Sequence, residues 1–302
     1  MKRRVVQHGP STLTISLPAR WVQERGVKKG DELTVAPMQN GLLITTSTSR
    51  KPEVKRISVK GLLRLVTKAV AALYKYGYDE IVVEYGSPEE LERIHTILST
   101  GYIGFEIIEE TKSEVRIRQV SEPQNEEFRT LFRRVFHFLL TTADETLEAM
   151  KQHNTATYGK LILRDDNINK LTDFCRRVVN KGGQSTYRSD TAIYHVVEQL
   201  EKIGDAYKHL NQRLATRRKP CSPAMTNALA GLNRLLRDFE TLFFEFSLEK
   251  AEAFLKLHDA ILGEMDNASG SMPKDELPLL FIIQNAVEET ADLIGAVMIL
   301  QL

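Results

Sequence analysis

Val197-Glu198-Gln199-Leu200-Glu201-Lys202-Ile203-Gly204-Asp205 is the stretch from which the rest of the chain can be read. Val197, Leu200 and Ile203 recur at helical spacing, and Glu201 and Asp205 fall one turn apart on another face. Gly204 costs a helix interior about 0.5–1 kcal/mol relative to alanine, so its presence predicts close packing beside the two carboxylates. A second copy of the spacing, Glu288 and Asp292, lies near the C-terminus in Ala286-Val287-Glu288-Glu289-Thr290-Ala291-Asp292.

Working outward, residues 126–302 carry a period near 3.6. Turn residues interrupt it at Thr155–Gly159, Lys181-Gly182-Gly183, Lys219-Pro220-Cys221-Ser222-Pro223, Glu245-Phe246-Ser247 and Ala268–Lys274. The breaks predict six helices. The double proline at Pro220 and Pro223 divides them into repeats 126–218 and 223–302, each a long, a medium and a long helix ending in Glu-x-x-x-Asp.

The N-terminal end is built differently. Arg4–Gln7 and Leu13–Leu17 alternate like strands around Gly9-Pro10, Pro18 opens a short helix that Gly26 closes, and Glu32–Val35 and Leu42–Thr45 flank the hairpin signal Asn40-Gly41. About 46 residues so arranged cannot close their own core, which predicts a partner chain. Thr46–Pro52 reads as a linker. Residues 53–120 then read as an α/β module: a helix over Leu62–Tyr76, a strand at Ile81-Val82-Val83, a helix from Pro88 to Leu98, and strands at Phe105–Glu109 and Glu114–Val120. The fold class expected is multidomain α+β.

The net charge of +1 conceals an asymmetry. Residues 1–50 carry eight Lys/Arg against three Asp/Glu, residues 51–120 eleven against eleven, and residues 121–302 twenty-two against twenty-six. The basic end is the part suited to phosphates, and Lys2, Arg3, Arg4, Arg20, Arg25, Lys28 and Lys29 are the candidate DNA contacts; on a dimeric head they make about fourteen cations. Cys175 and Cys221 show no metal-ligand spacing. No apolar run approaches the roughly 20 residues of a membrane span, so a cytoplasmic protein without membrane insertion is expected.

Carboxylates one turn apart on a helix are most often a solvated face. Repetition in two halves and the glycine favour ligation: Glu201, Asp205 and His209 on one helix, facing Asp165 and Asn169 on the preceding one, are candidate metal ligands. The second half offers Glu288, Asp292 and Asp259. No nucleophile elbow or phosphate-cradling loop is present, and neither Glu201 nor Glu288 has a histidine three residues on, so turnover is not expected. The aromatic residues Trp21, Tyr74, Tyr76, Tyr78, Phe239, Phe243, Phe244 and Phe246 read as packing.

Leu200-Glu201-Lys202-Ile203-Gly204-Asp205 resembles the repeated signature of the PhoU phosphate-uptake regulators, and Asp165-Asp166-Asn167-Ile168-Asn169-Lys170-Leu171 resembles their second signature. The resemblance covers roughly residues 126–302. It implies two three-helix bundles, metal clusters (iron, zinc, manganese or nickel) on an acidic face, and contact with a phosphate transporter ATPase or a sensor protein. Lys202 stands where the family has arginine, and Glu289-Thr290 replaces Arg-Ile in the second copy. Gly9–Trp21 followed by Gly26–Leu33 resembles the AbrB/SpoVT/MazE swapped-hairpin domains, which implies a homodimeric β-barrel head able to bind double-stranded DNA, although Ser11-Thr12 stands where many DNA-binding relatives have arginine. Together the two resemblances imply an archaeal-type phosphate regulator. Two expectations follow: a DNA-binding transcriptional regulator with a metal-binding body, or a protein-only adaptor whose head serves for dimerisation.

Overall fold

A computed structural model describes residues 2–38, 41–46, 52–121, 125–181, 187 and 189–302. The chain is mixed α+β, with a small N-terminal strand region and a helical C-terminal body, and it forms two compact units, Met1–Glu53 and Val54–Leu302.

In the first unit β1 (Val6–His8) pairs antiparallel with β2 (Thr12–Thr14), turning at Gly9, whose φ of 78° favours a residue without Cβ. Pro18 precedes α1 (Ala19–Arg25), which Gly26 ends in the left-handed conformation. β3 (Leu33–Met38) and β4 (Gly41–Thr46) form a second antiparallel pair. Asn40 of the expected hairpin signal and residues 47–51 of the expected linker lie outside the described residues. No described side chain of this unit is fully buried, and Val6, Leu13 and Leu42 are exposed.

The second unit opens with β5 (Val54–Ser58), a strand that sequence reading passes over because Val54 and Ile57 do not alternate. α2 (Val66–Tyr76), β6 (Glu80–Glu84), α3 (Pro88–Gly101), β7 (Phe105–Glu110) and β8 (Glu114–Gln119) follow, in a four-stranded sheet of order β5-β6-β8-β7. β5 and β6 are parallel across the α2 crossover; the other pairings are antiparallel. Expected from Leu62, α2 starts only at Val66. The buried Glu90 carboxylate takes the Leu62 N–H (3.1 Å) and the Gly86 N–H (2.7 Å), and this holds the preceding turn out of helix. α3 starts as expected, with Ser87 Oγ accepting from Glu90 N–H at its N-cap.

The body comprises α4 (Asn125–Gln152), α5 (Thr155–Asn180), α6 (Asp190–Ala215), α7 (Pro223–Phe244), α8 (Leu248–Ser269), α9 (Leu277–Ala291) and α10 (Leu293–Gln301). Two expectations need correction. Thr155–Gly159 is the first turn of α5; the chain reverses earlier, at His153, whose φ is 51°. The expected medium helix therefore has 26 residues, as many as α6. The sixth helix is split at Asp292 into α9 and α10. Gly182 and Gly183, part of another expected break, lie outside the described residues.

α5 packs on both α4 and α6, α8 on α7 and α9, and the halves meet through α4 against α7 and α6 against α9 and α10. One apolar core containing Phe132, Phe136, Phe174, Leu200, Phe239 and Phe243 runs through the body, which accounts for the aromatic run as packing. A separate core including Val70, Tyr74, Ile81 and Phe105 fills the α/β module. The module docks on the end of α5: Arg177 donates to Tyr74 O and Gln119 Oε1, each at 2.7 Å, and Lys181 Nζ lies 2.5 Å from Asp79 Oδ1. No helix among the described residues is long and apolar enough to cross a membrane.

Candidate functional site

The facing surfaces of α5 and α6 carry the residues singled out by spacing. Gly204 lets the helices close: a Cβ there would stand 3.1 Å from Ile168 Cγ2 and 3.7 Å from Asp165 Oδ1, so the Gly204 position brings α6 against the buried Asp165. Asn169 Nδ2 donates to Asp165 Oδ2 (2.8 Å), one turn away on α5, and Lys208 Nζ lies 2.7 Å from the same oxygen. Asp165 Oδ1 and Asn169 Oδ1 are buried without any hydrogen-bond partner. Two desolvated oxygens left unpaired are costly, because each forgoes its water without a replacement.

Asp205 is half-buried nearby. Desolvation, followed by the negative charges of Asp165 and Glu201, pushes its carboxyl above the ordinary range, while Lys208 and His209 oppose the shift. Asp165, Asn169 and Asp205 thus share one locality, with His209 exposed at its edge.

Glu201 is turned elsewhere. The guanidinium of Arg176, only 1% exposed, donates to Glu201 Oε2 (3.2 Å), Asp173 Oδ1 (2.7 Å) and Glu198. Desolvation raises the Asp173 carboxyl, and Arg176 and Lys75 pull it back. Lys75 Nζ, from α2, lies 3.6 Å from Asp173 Oδ1. Spacing did not find Asp173, Arg176, Glu198 or Lys208. The available signal was charged residues recurring on the apolar side of two helices: Arg176 beside Phe174 and Cys175, and Lys208 one turn after Gly204.

In the second half, His258 bridges α8 and α9, its Nδ1 3.0 Å from Asp259 Oδ1 and its Nε2 3.2 Å from Glu288 Oε2. Both carboxylates are largely exposed. Asp292 stands apart at the break between α9 and α10, its N–H donating to Glu288 O. Among the described residues, no three His, Cys, Asp or Glu side chains gather closely enough to hold a metal ion. The oxygen-rich cluster of the first half instead includes an amide and is balanced by the Lys208 ammonium.

At the N-terminal unit, Lys2, Arg3, Arg4, Arg20, Arg25, Lys28 and Lys29 are all exposed. Arg20 Nε is held 2.8 Å from Glu24 Oε1 one turn on, and the Lys28 N–H is tied to Asp31 Oδ2. The chain matches no known family model, no curated protein and no solved structure.

Proposed function

We propose that the chain is a PhoU-like regulator of phosphate uptake, a cytoplasmic, DNA-binding transcriptional regulator whose helical body of two related three-helix repeats holds metal ions. The observation that carries the reading is the pair of buried, partnerless oxygens, Asp165 Oδ1 and Asn169 Oδ1, beside the desolvated Asp205. Oxygen donors from carboxylate and amide between two helices suit a hard or borderline divalent or trivalent cation such as iron, zinc, manganese or nickel, which would have to draw Asp205 in beside Asp165 and Asn169, because the described acidic side chains are not gathered around one point. Asp165, Asn169 and Asp205 would hold the ion, with Glu201 joining on leaving Arg176. Such an ion supplies positive charge to a cluster that Lys208 and Arg176 now balance. Asp259 and Glu288, already joined through His258, form the poorer counterpart.

Two features of the head support DNA as a partner: the seven exposed cations among its described residues, and exposed apolar side chains that a second copy would cover in a swapped-hairpin barrel. The same uncovered apolar surface favours a second reading, in which the head serves dimerisation alone and the body acts on a phosphate transporter ATPase or sensor protein.

Elemental analysis of protein purified without chelators tests the metal. Stoichiometric metal in the wild type that is lost in Glu201→Ala/Asp205→Ala is expected, and a metal-free wild type returns these residues to a solvated acidic face. Gel shifts across salt separate the two functions. A DNA-binding head loses affinity steeply as salt rises and discriminates among sequences, whereas absence of any shift at low salt leaves the adaptor.

A further inference from the structure

Where α6 ends and the chain crosses to α7, the sequence concentrates four cations. A cleft of about 380 Å³ is lined by Arg213, Thr216, Arg217, Arg218 and Lys219, with Asp275 from the segment leading into α9. One cation is structural. Arg217 is fixed by Asp275 Oδ2 (2.7 Å) and Glu276 Oε1 (2.8 Å), and the buried Glu276 also receives the Ser222 N–H (2.9 Å) and Oγ–H (2.6 Å). The Arg217 Nε is buried and has no hydrogen-bond partner. Arg217 therefore makes a rigid, preorganised floor.

The other three cations are different. Arg213, Arg218 and Lys219 are exposed and form no ion pair among the described residues. Arg213 lies in the last turn of α6, and Arg217 follows just beyond the helix end at Ala215. Counted together, the four cations exceed Asp275 and Glu276 by two positive charges. A concave site with fixed and adaptable cations, and a surplus of two, is suited to an anion bearing at least two charges and several acceptor oxygens. Guanidinium forks match phosphate oxygens two at a time, and the cleft lies at the small end of ligand-site volumes.

We propose that this cleft binds a small phosphate-bearing polyanion, the size of pyrophosphate or the diphosphate group of a nucleotide. Arg218, Lys219 and Arg213 clasp it over Arg217. It would tie the end of α6 and the inter-repeat crossing to the start of α9. The inference uses no residue of the α5–α6 site or of the basic head, so it stands or falls apart from the proposed metal and DNA.

The test is isothermal titration of the full chain with inorganic pyrophosphate and, in a second arm, ADP, at about 0.1 M salt to screen diffuse attraction. Saturable binding at one site per chain is expected. In Arg213→Gln/Arg218→Gln/Lys219→Gln it should weaken at least about tenfold, the order expected for losing charge-assisted contacts. All three side chains are exposed, so the ligand-free melting temperature should not move. Tighter binding of ADP identifies a nucleotide, and equal binding identifies the phosphate groups alone. No saturable heat into the millimolar range with either probe, or an unchanged affinity in the triple variant, overturns the proposal.

Discussion

Gly204 and Gly159 both lie inside helices, yet they answer to different demands. A Cβ at Gly204 meets Ile168 at 3.1 Å, while at Gly159 it meets nothing within 4 Å. Gly204→Leu should therefore cost about 1–3 kcal/mol through overpacking, and Gly159→Ala should add about 0.5–1 kcal/mol by removing a helix penalty. Opposite shifts in the denaturation midpoint check the pair. Burial also sets the alkaline behaviour of the chain. The Tyr158 phenol is pushed up to about 12 by desolvation, and burial raises Tyr74, Tyr102 and Tyr207 as well. In the unfolded chain a tyrosine sheds its proton near pH ~10. Above that pH the unfolded state binds fewer protons than the folded one, so stability should fall as pH rises past about 10. Urea midpoints at rising pH, read beside tyrosinate absorbance, test this: part of the absorbance should appear only with unfolding. Complete titration of all nine tyrosines in the folded protein would contradict it.

Among the elements, α5 joins the helical body to the α/β module, packing on α4 and α6 and on α2 and α3. One stretch of it supplies Asp165 and Asn169, the next supplies Asp173 and Arg176, and its end carries Arg177, Asn180 and Lys181 to the α/β module. Arg177 is 3% exposed, lies over the Tyr74 and Phe105 rings, and satisfies the Tyr74 carbonyl and Gln119. Arg177→Met keeps bulk but removes both charged hydrogen bonds, each worth about 1.5–3 kcal/mol. Amide exchange should accelerate across α2 and β8 and stay unchanged in α7, and uniform acceleration through all helices would show that the module is not separately tethered. Through Lys75, Asp173 and Arg176 the same element links the module to Glu201, one of the carboxylates singled out by spacing.

At the level of the whole molecule, the two units differ in how they close. Residues 54–302 bury two apolar cores, whereas no described side chain of residues 1–53 is fully buried and Val6, Leu13, Val35 and Leu42 face solvent. Covering such a surface is what the proposed dimeric head requires. Light scattering on the full chain should give twice the mass of the 302-residue monomer, and Leu13→Glu/Leu42→Glu should halve it by placing charge in the apolar contact. A monomeric wild type at micromolar concentration would remove the dimer.

Local pattern was enough to reveal most of the elements. Hydrophobic period marked the helices of the body, the prolines at 220 and 223 marked their division, and Ser87-Pro88 marked the start of α3, because these signals act within a few residues. The same periodicity put Glu201 and Asp205 on one face, and Asp165 and Asn169 on another. It could not show that α5 begins at Thr155, since the reversal rests on one left-handed histidine, or that Val54–Ser58 is a strand, since its ladder comes from β6, some 26 residues away. Nor could it say which charges meet. That Arg176 takes Glu201, that Lys208 takes one Asp165 oxygen and leaves the other bare, and that Arg217 is spent on Asp275 and Glu276 while its neighbours form no ion pair among the described residues were decided by how the helices pack. A helix's own sequence sets which residues share a face, and only tertiary contact sets what that face is pressed against.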